Sequence, residues 1–200
     1  MIIKFDHISF SCRIGEEGAC RLPEGYFFDF AEEGLPNIGA KDTLLQEKQA
    51  VHNIRMYRAE ESYPIEITSY PQCEGENQKF LLSAEEIVVV TQNVEETMEF
   101  YEAMGFQRGE NNVLALLPFM DKRKVVLKIK EGDPGKVFLD KNGMGSLAFV
   151  VDRIEKQKQQ LEKRGFWVSD IEKLLVNGKA LKICFCANAQ GDIVEFIGVR

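Results

Sequence analysis

An internal repeat constrains this chain more than any other feature of its sequence. Residues 86–106 read EIVVVTQNVEETMEFYEAMGF and residues 146–166 read SLAFVVDRIEKQKQQLEKRGF, and the two align without a gap. Each opens on an apolar run rich in β-branched residues, which favours a strand. A polar turn follows, Thr91-Gln92-Asn93 or Asp152-Arg153. The periodicity then becomes helical. Val94, Met98 and Tyr101 recur one turn apart, and Ile154, Lys158 and Leu161 hold the same places, with Lys158 interrupting the apolar stripe. Each helix is expected to stop at a glycine, Gly105 or Gly165, where left-handed backbone costs little.

More strand follows each copy, at 113–119 and 125–130 after the first, and at 167–168, 181–186 and 193–199 after the second. Turn signals at 121–123, 177–179 and 190–192 separate these runs. Each unit is therefore βα followed by two or three strands. The first 80 residues read as a third, degenerate copy. They hold an alternating run at 2–12 and two strand-like runs at 52–57 and 63–70, but glycine and proline occupy 13–37, where the other copies have a helix. The expected organisation is a degenerate module at 1–80 and a two-module domain at 84–200, with modules 84–135 and 144–200.

Composition narrows the partners. The formal charge is −7, so nucleic acid and membrane surface are not expected as partners. No apolar run approaches the length that crosses a bilayer, and residues 1–13 do not read as a signal peptide. Five cysteines form no regular framework, which fits reduced thiols and a cytoplasmic setting. Cys184 and Cys186 share a strand face and read as buried small hydrophobes. Only two histidines are present, which limits every catalytic or metal proposal.

The segments FDHISF (5–10), YPIEITSYP (63–71), VVVTQNVEETMEFYEAMGF (88–106), GSLAFVVDRIEKQKQQLEKRGF (145–166) and GDIVEFIGV (191–199) resemble the vicinal oxygen chelate superfamily, the glyoxalase/bleomycin-resistance/extradiol-dioxygenase group. The resemblance spans nearly the whole chain and is best over 84–200. It implies an α+β fold of paired βαβββ modules, with curved mixed sheets around a cavity. It also implies metal ligands in the first and last strands of each module. The first-strand positions are His7, Glu86 and Ser146, and the last-strand positions are Glu66, Lys128 and Glu195.

Weighed by chemistry, Lys128 is a cation where a ligand should be, so modules two and three look metal-free. Lys128 could instead pair with Glu86 or Glu195. Module one keeps His7 and Glu66, which need Glu195, Glu86 or a second chain to complete a site. Three modules suit a homodimer in which two His7 and two Glu66 meet on an axis. Each residue also has an ordinary reading: a hydrogen-bonded His7, solvated Glu66, Glu86 and Glu195, and a solvated face for Lys128. His52 is a further proton-transfer candidate, and Tyr26, Phe27, Phe28 and Phe30 read as core or as a cover over module one.

The expected function is that of a glyoxalase-like protein acting on a small molecule with adjacent oxygens. His7, Glu66 and Glu195 would hold a divalent metal (Ni, Zn, Mn or Fe), and Glu195 or Glu66 would move the proton. Glu86, Lys128 and Ser146 would be polar residues of the cavity. The alternative is a metal-free protein of the same fold that binds or sequesters a small molecule without catalysis.

Overall fold

In chain order the first unit comprises β1 (Ile2–Arg13), β2 (Phe27–Pro36), β3 (Val51–Arg58) and β4 (Ile65–Tyr70). Loops and two 3-10 segments, Glu17–Ala19 and Gly39–Leu44, join them in place of an α-helix. A short strand, β5 (Phe80–Leu82), follows. The second unit comprises β6 (Ile87–Thr91), α1 (Val94–Glu102), β7 (Gln107–Arg108), β8 (Val113–Leu116) and β9 (Val125–Glu131). The third comprises β10 (Gly143–Val151), α2 (Ile154–Glu162), β11 (Trp167–Val168), β12 (Glu172–Val176), β13 (Lys179–Ala187) and β14 (Ile193–Gly198). This computed structural model describes residues 1–83 and 86–198. The module boundary expected at 84 and the end of the last expected strand, Val199, lie outside the described residues.

The two helices form where the repeat expects them. Asn93 caps α1, its Oδ1 accepting from the Glu96 N–H at 3.2 Å, and Glu95 and Glu96 complement the helix dipole. The helix buries Met98, Phe100 and Tyr101, and α2 buries Ile154 and Leu161. Lys158 turns its ammonium to the carbonyls of Val168 and Ser169, so its break in the apolar stripe is satisfied. Gly105 and Gly165 stop the helices at φ 106° and 86°. Asn177 and Gly178, at φ 49° and 69°, make the tight hairpin between β12 and β13. β12 is a strand the sequence runs do not include.

Strand pairing places the site. One sheet has the order β11-β13-β14-β10-β1-β4-β3-β2, with β12 added on β13. A five-stranded sheet has the order β5-β6-β9-β8-β7. Units two and three are the most alike in sequence, but β1 runs antiparallel to β10, so unit one pairs with unit three across the expected 80/84 division. The first unit thus finds its partner within the chain, and the arrangement of two His7 on a dimer axis is not needed to bring Glu195 to it. Unit two is the odd one, and β5 covers the β6 edge that its counterparts use for pairing.

The two sheets and both helices share a large core, into which Leu147, Phe149, Val194 and Phe196 point from the larger sheet. The intervening residues Ala148, Val150, Glu195 and Ile197 face the other, concave side. Strict alternation would put Phe5 with His7. A register shift between them instead turns Phe5 into the core beside Ile8 and leaves His7 on the concave face. Cys184 and Cys186 are fully buried in that core. The aromatic run near β2 departs from expectation. On this edge strand Phe27 and Phe28 are more than half exposed, and only Phe30 reaches the cavity.

A buried ion pair ties the segment before β5 to the third unit. Lys79 and Asp192 are both fully buried, with Nζ 3.0 Å from Oδ1. Asp192 also accepts from Thr97, Tyr101 and Asn188, and Lys79 donates to the Gln190 carbonyl. Removing one partner of such a pair strands the other charge. Asp192→Ala is expected to cost about 3–5 kcal/mol, read as a drop in the denaturant midpoint at unchanged slope.

Candidate functional site

Three strands of the larger sheet deliver the site, with β10 between two of them. His7 comes from β1, Glu66 from β4 and Glu195 from β14, and all three line a cavity of about 400 Å³ on the concave face. The register explains the meeting: His7 lies opposite Ala148, and Ala148 beside Glu195. His7 Nε2 stands 3.7 Å from Glu66 Oε1 and 3.9 Å from Glu195 Oε2. His7 Nδ1 donates to Asp6 Oδ2 at 3.0 Å, which leaves Nε2 aimed at the two carboxylates. Thr68 Oγ1 donates to Glu66 Oε1 at 3.0 Å and orients that carboxylate. Apolar walls rise around this polar floor, among them Ile54, Met56, Val150, Ile183 and Ile197.

The electrostatics follow from burial and proximity. Burial alone would push the His7 pKa down, but Glu66, Asp6 and Glu195 together raise it to about 9. Burial works to raise Asp6, and the hydrogen bond and charge of His7 bring it down to about 2. Burial raises Glu195, against the pull of His7 and Lys41. The floor is thus a coupled cluster of one imidazole and three carboxylates, able to hold and hand on a proton.

The remaining residues from the sequence reading divide into two groups. Ser146 is buried on β10, with its Cα opposite Ser9 two register pairs from His7; its Oγ has no partner, and it is not among the residues that line the cavity. Glu86 and Lys128 lie elsewhere, 3.8 Å apart on the five-stranded sheet, with Lys128 half exposed. Neither lines the cavity. They fall outside because unit two does not contribute to the concave sheet. His52 does line the cavity, stacked on Tyr70 at 5.8 Å, but burial and then Lys41 lower its pKa to about 2. Sequence reasoning missed Asp6, Lys41 and Met120 in the cavity lining. Asp6 precedes a ligand-position histidine, and that adjacency is a usable signal. Lys41 and Met120 lie in irregular segments without one.

Among the described residues, no group of three or more His, Cys, Asp or Glu side chains is arranged as a ready metal cluster. The donor chemistry nonetheless suits a divalent ion, because His7 Nε2 is buried without a hydrogen-bond partner and two carboxylates flank it.

The histidines set opposite pH dependences. His7 has a raised folded pKa, so its contribution is full below 6.5 and is lost as pH rises toward about 9. His52 has a lowered folded pKa, so its contribution is present above 6.5 and is lost as pH falls toward about 2. The melting temperature is expected to fall on the alkaline side of this window in the wild type and to flatten there in His7→Gln. His52→Phe is expected to flatten the acid side, and a pH series of thermal melts reads both.

No family model matches the sequence, and no curated protein matches it. Similar solved structures include a methylmalonyl-CoA epimerase, at 13% identity over 100% of this chain and 97% of that chain with a TM-score of 0.46. A putative dioxygenase from Bacillus subtilis is similar at 12% identity over 99% and 64%, TM-score 0.43. A member of the glyoxalase/bleomycin resistance protein/dioxygenase superfamily from Sphaerobacter thermophilus is similar at 14% identity over 59% and 98%, TM-score 0.42. The strand order, rather than these modest superpositions, carries the fold assignment. A four-stranded unit without an α-helix and a five-stranded unit with one meet through their first strands, β1 and β10, in one nine-stranded sheet, the paired-module arrangement expected from the sequence.

Proposed function

We propose that the concave cavity is an enzyme site for a small molecule with adjacent oxygens, in which His7, Glu66 and Glu195 do the chemistry. The supporting observation is the convergence of these three side chains from three strands on the floor of an apolar cavity, with His7 Nε2 unpartnered. Such a floor under apolar walls is the usual form of a small-molecule site. His7, Glu66 and Glu195 would hold a divalent ion. Once bound, the ion would polarise a substrate oxygen.

The chain's own residues do the rest. Asp6 fixes the His7 ring through Nδ1, and Thr68 fixes Glu66. Glu195, the more buried carboxylate, takes or returns the substrate proton, its affinity for a proton raised by burial. The apolar walls exclude water from the exchange. This combination suits a lyase, isomerase or dioxygenase of the glyoxalase type.

A second reading, metal-free binding, draws on the lack of a ready metal cluster among the described residues. Elemental analysis and thermal melts separate the two. Added Ni²⁺, Mn²⁺ or Zn²⁺ is expected to raise the wild-type melting temperature by about 5–10 °C at a hundredfold excess over Kd. His7→Ala is expected to abolish that rise. A wild type without metal response, matched by an unchanged variant, would sink the metal-dependent reading. The metal-free reading then predicts stabilisation by small molecules in the presence of chelator.

A further inference from the structure

Lys41 takes no part in the chemistry of the floor, yet it sits in the same cavity. It belongs to the 3-10 segment Gly39–Leu44, which lies on the concave face and buries Ala40 and Leu44 against Ile183 and Phe185. This segment is pinned at both ends. Glu172 accepts from the Ala40 N–H at 2.5 Å, and the Leu44 carbonyl accepts from the Leu139 N–H at 2.8 Å. Just beyond, Asp140 accepts from the N–H groups of Gln46 and Glu47 at 2.7 and 3.2 Å. Lys41 is therefore held on a fixed backbone.

Its side chain is 7% exposed and lines the cavity. The ammonium lies 5.7 Å from the centroid of the Phe185 ring. Among the described residues it has no carboxylate within ion-pair reach and no side-chain hydrogen bond. Of the other cations of the cavity, Lys4 pairs with Asp6 at 3.7 Å and Arg58 with Asp29 at 2.6 Å, while Lys179 is exposed. The other deeply buried lysine, Lys79, has its Asp192. Lys41 is thus a little-exposed cation of the cavity without an ion-pair partner, and its charge acts on both Glu195 and His52. Beside it in the cavity is His52, 1% exposed, whose Nδ1 also has no partner.

We propose that Lys41 is the recognition point for an oxyanion head group, carboxylate or phosphate, on the small molecule that the cavity binds. His52 stands ready as a neutral hydrogen-bonding group at the same end. Orientation follows from charge. The floor is crowded with Asp6, Glu66 and Glu195 and repels an anion, whereas Lys41 attracts one. A ligand with an anionic end and a neutral, oxygen-bearing end is then held one way round, with its reacting oxygens toward His7. The assignment rests on the cavity being a ligand site. It does not depend on a metal or on the acid–base role of the floor.

The test is calorimetric titration of the full chain with three ring-matched probes: benzoate, phenyl phosphate and benzyl alcohol. At least one anion is expected to bind about tenfold tighter than the alcohol or better, as a charge-assisted hydrogen bond provides. The tighter of the two anions identifies the head group. Lys41→Met is expected to erase the preference, and Lys41→Arg to keep it. His7→Ala is expected to keep it as well, so a failed floor chemistry leaves this assignment standing. The proposal is overturned if the alcohol binds as tightly as both anions or if Lys41→Met retains the preference. It is equally overturned if none of the three probes binds at millimolar concentration.

Discussion

The antiparallel ladder between β1 and β10 is the constraint on which the rest of this structure depends. It runs from Ile2 opposite Val151 to Ser11 opposite Gly143 and makes one sheet of two separate units. Without it, His7 and Glu66 would belong to one edge and Glu195 to another. The ladder also sets the division of labour between faces. Leu147, Phe149 and Phe5 go to the core between the sheets, while His7, Val150 and Glu195 go to the cavity. The irregularity between Phe5 and His7 is part of this arrangement, since a regular strand would put either the ring in the cavity or the imidazole in the core.

The helices and their glycine stops were legible because they are local. Asn93, Gly105 and Gly165 act within one turn of chain, and helical spacing is readable wherever one face is buried. The partnership of the units was not legible in the same way. Likeness between residues 86–106 and 146–166 reports common local structure, but edge pairing depends on which strand end is left open. The three residues of β5 settle that for unit two. The first unit was hardest to read. Its glycines and prolines mark the absence of a helix, but they do not say that Phe27–Pro36 becomes an edge strand with two exposed phenylalanines.

The site divides along similar lines. His7, Glu66 and Glu195 were named because the resemblance implies metal ligands in the first and last strands of each module, and the structure brings the three side chains together. Glu86 and Lys128 occupy equivalent places too, but on a sheet that faces elsewhere. Lys41 could not be picked out, because a lysine in an irregular segment is ordinarily solvated. Only the packing of Gly39–Leu44 onto the concave face turns it into a buried charge. The cavity therefore combines two kinds of information: the floor is written in the repeat, and its ceiling in loops that the repeat does not contain.

The span of the β1–β10 ladder has a consequence in time as well as in space. Ile8 meets Leu147, so the sheet closes only after most of the chain is available. Pairing across so long a loop is slow, because its closure entropy must be met before the contacts reward it. Glu195 arrives later still, on β14, the last strand described. As the chain emerges during synthesis, unit two can complete its sheet while β1 still waits with one edge open and His7 uncovered. The cavity is thus the final part of the molecule to take shape, and the concave face of β1 is the surface most in need of protection until it does.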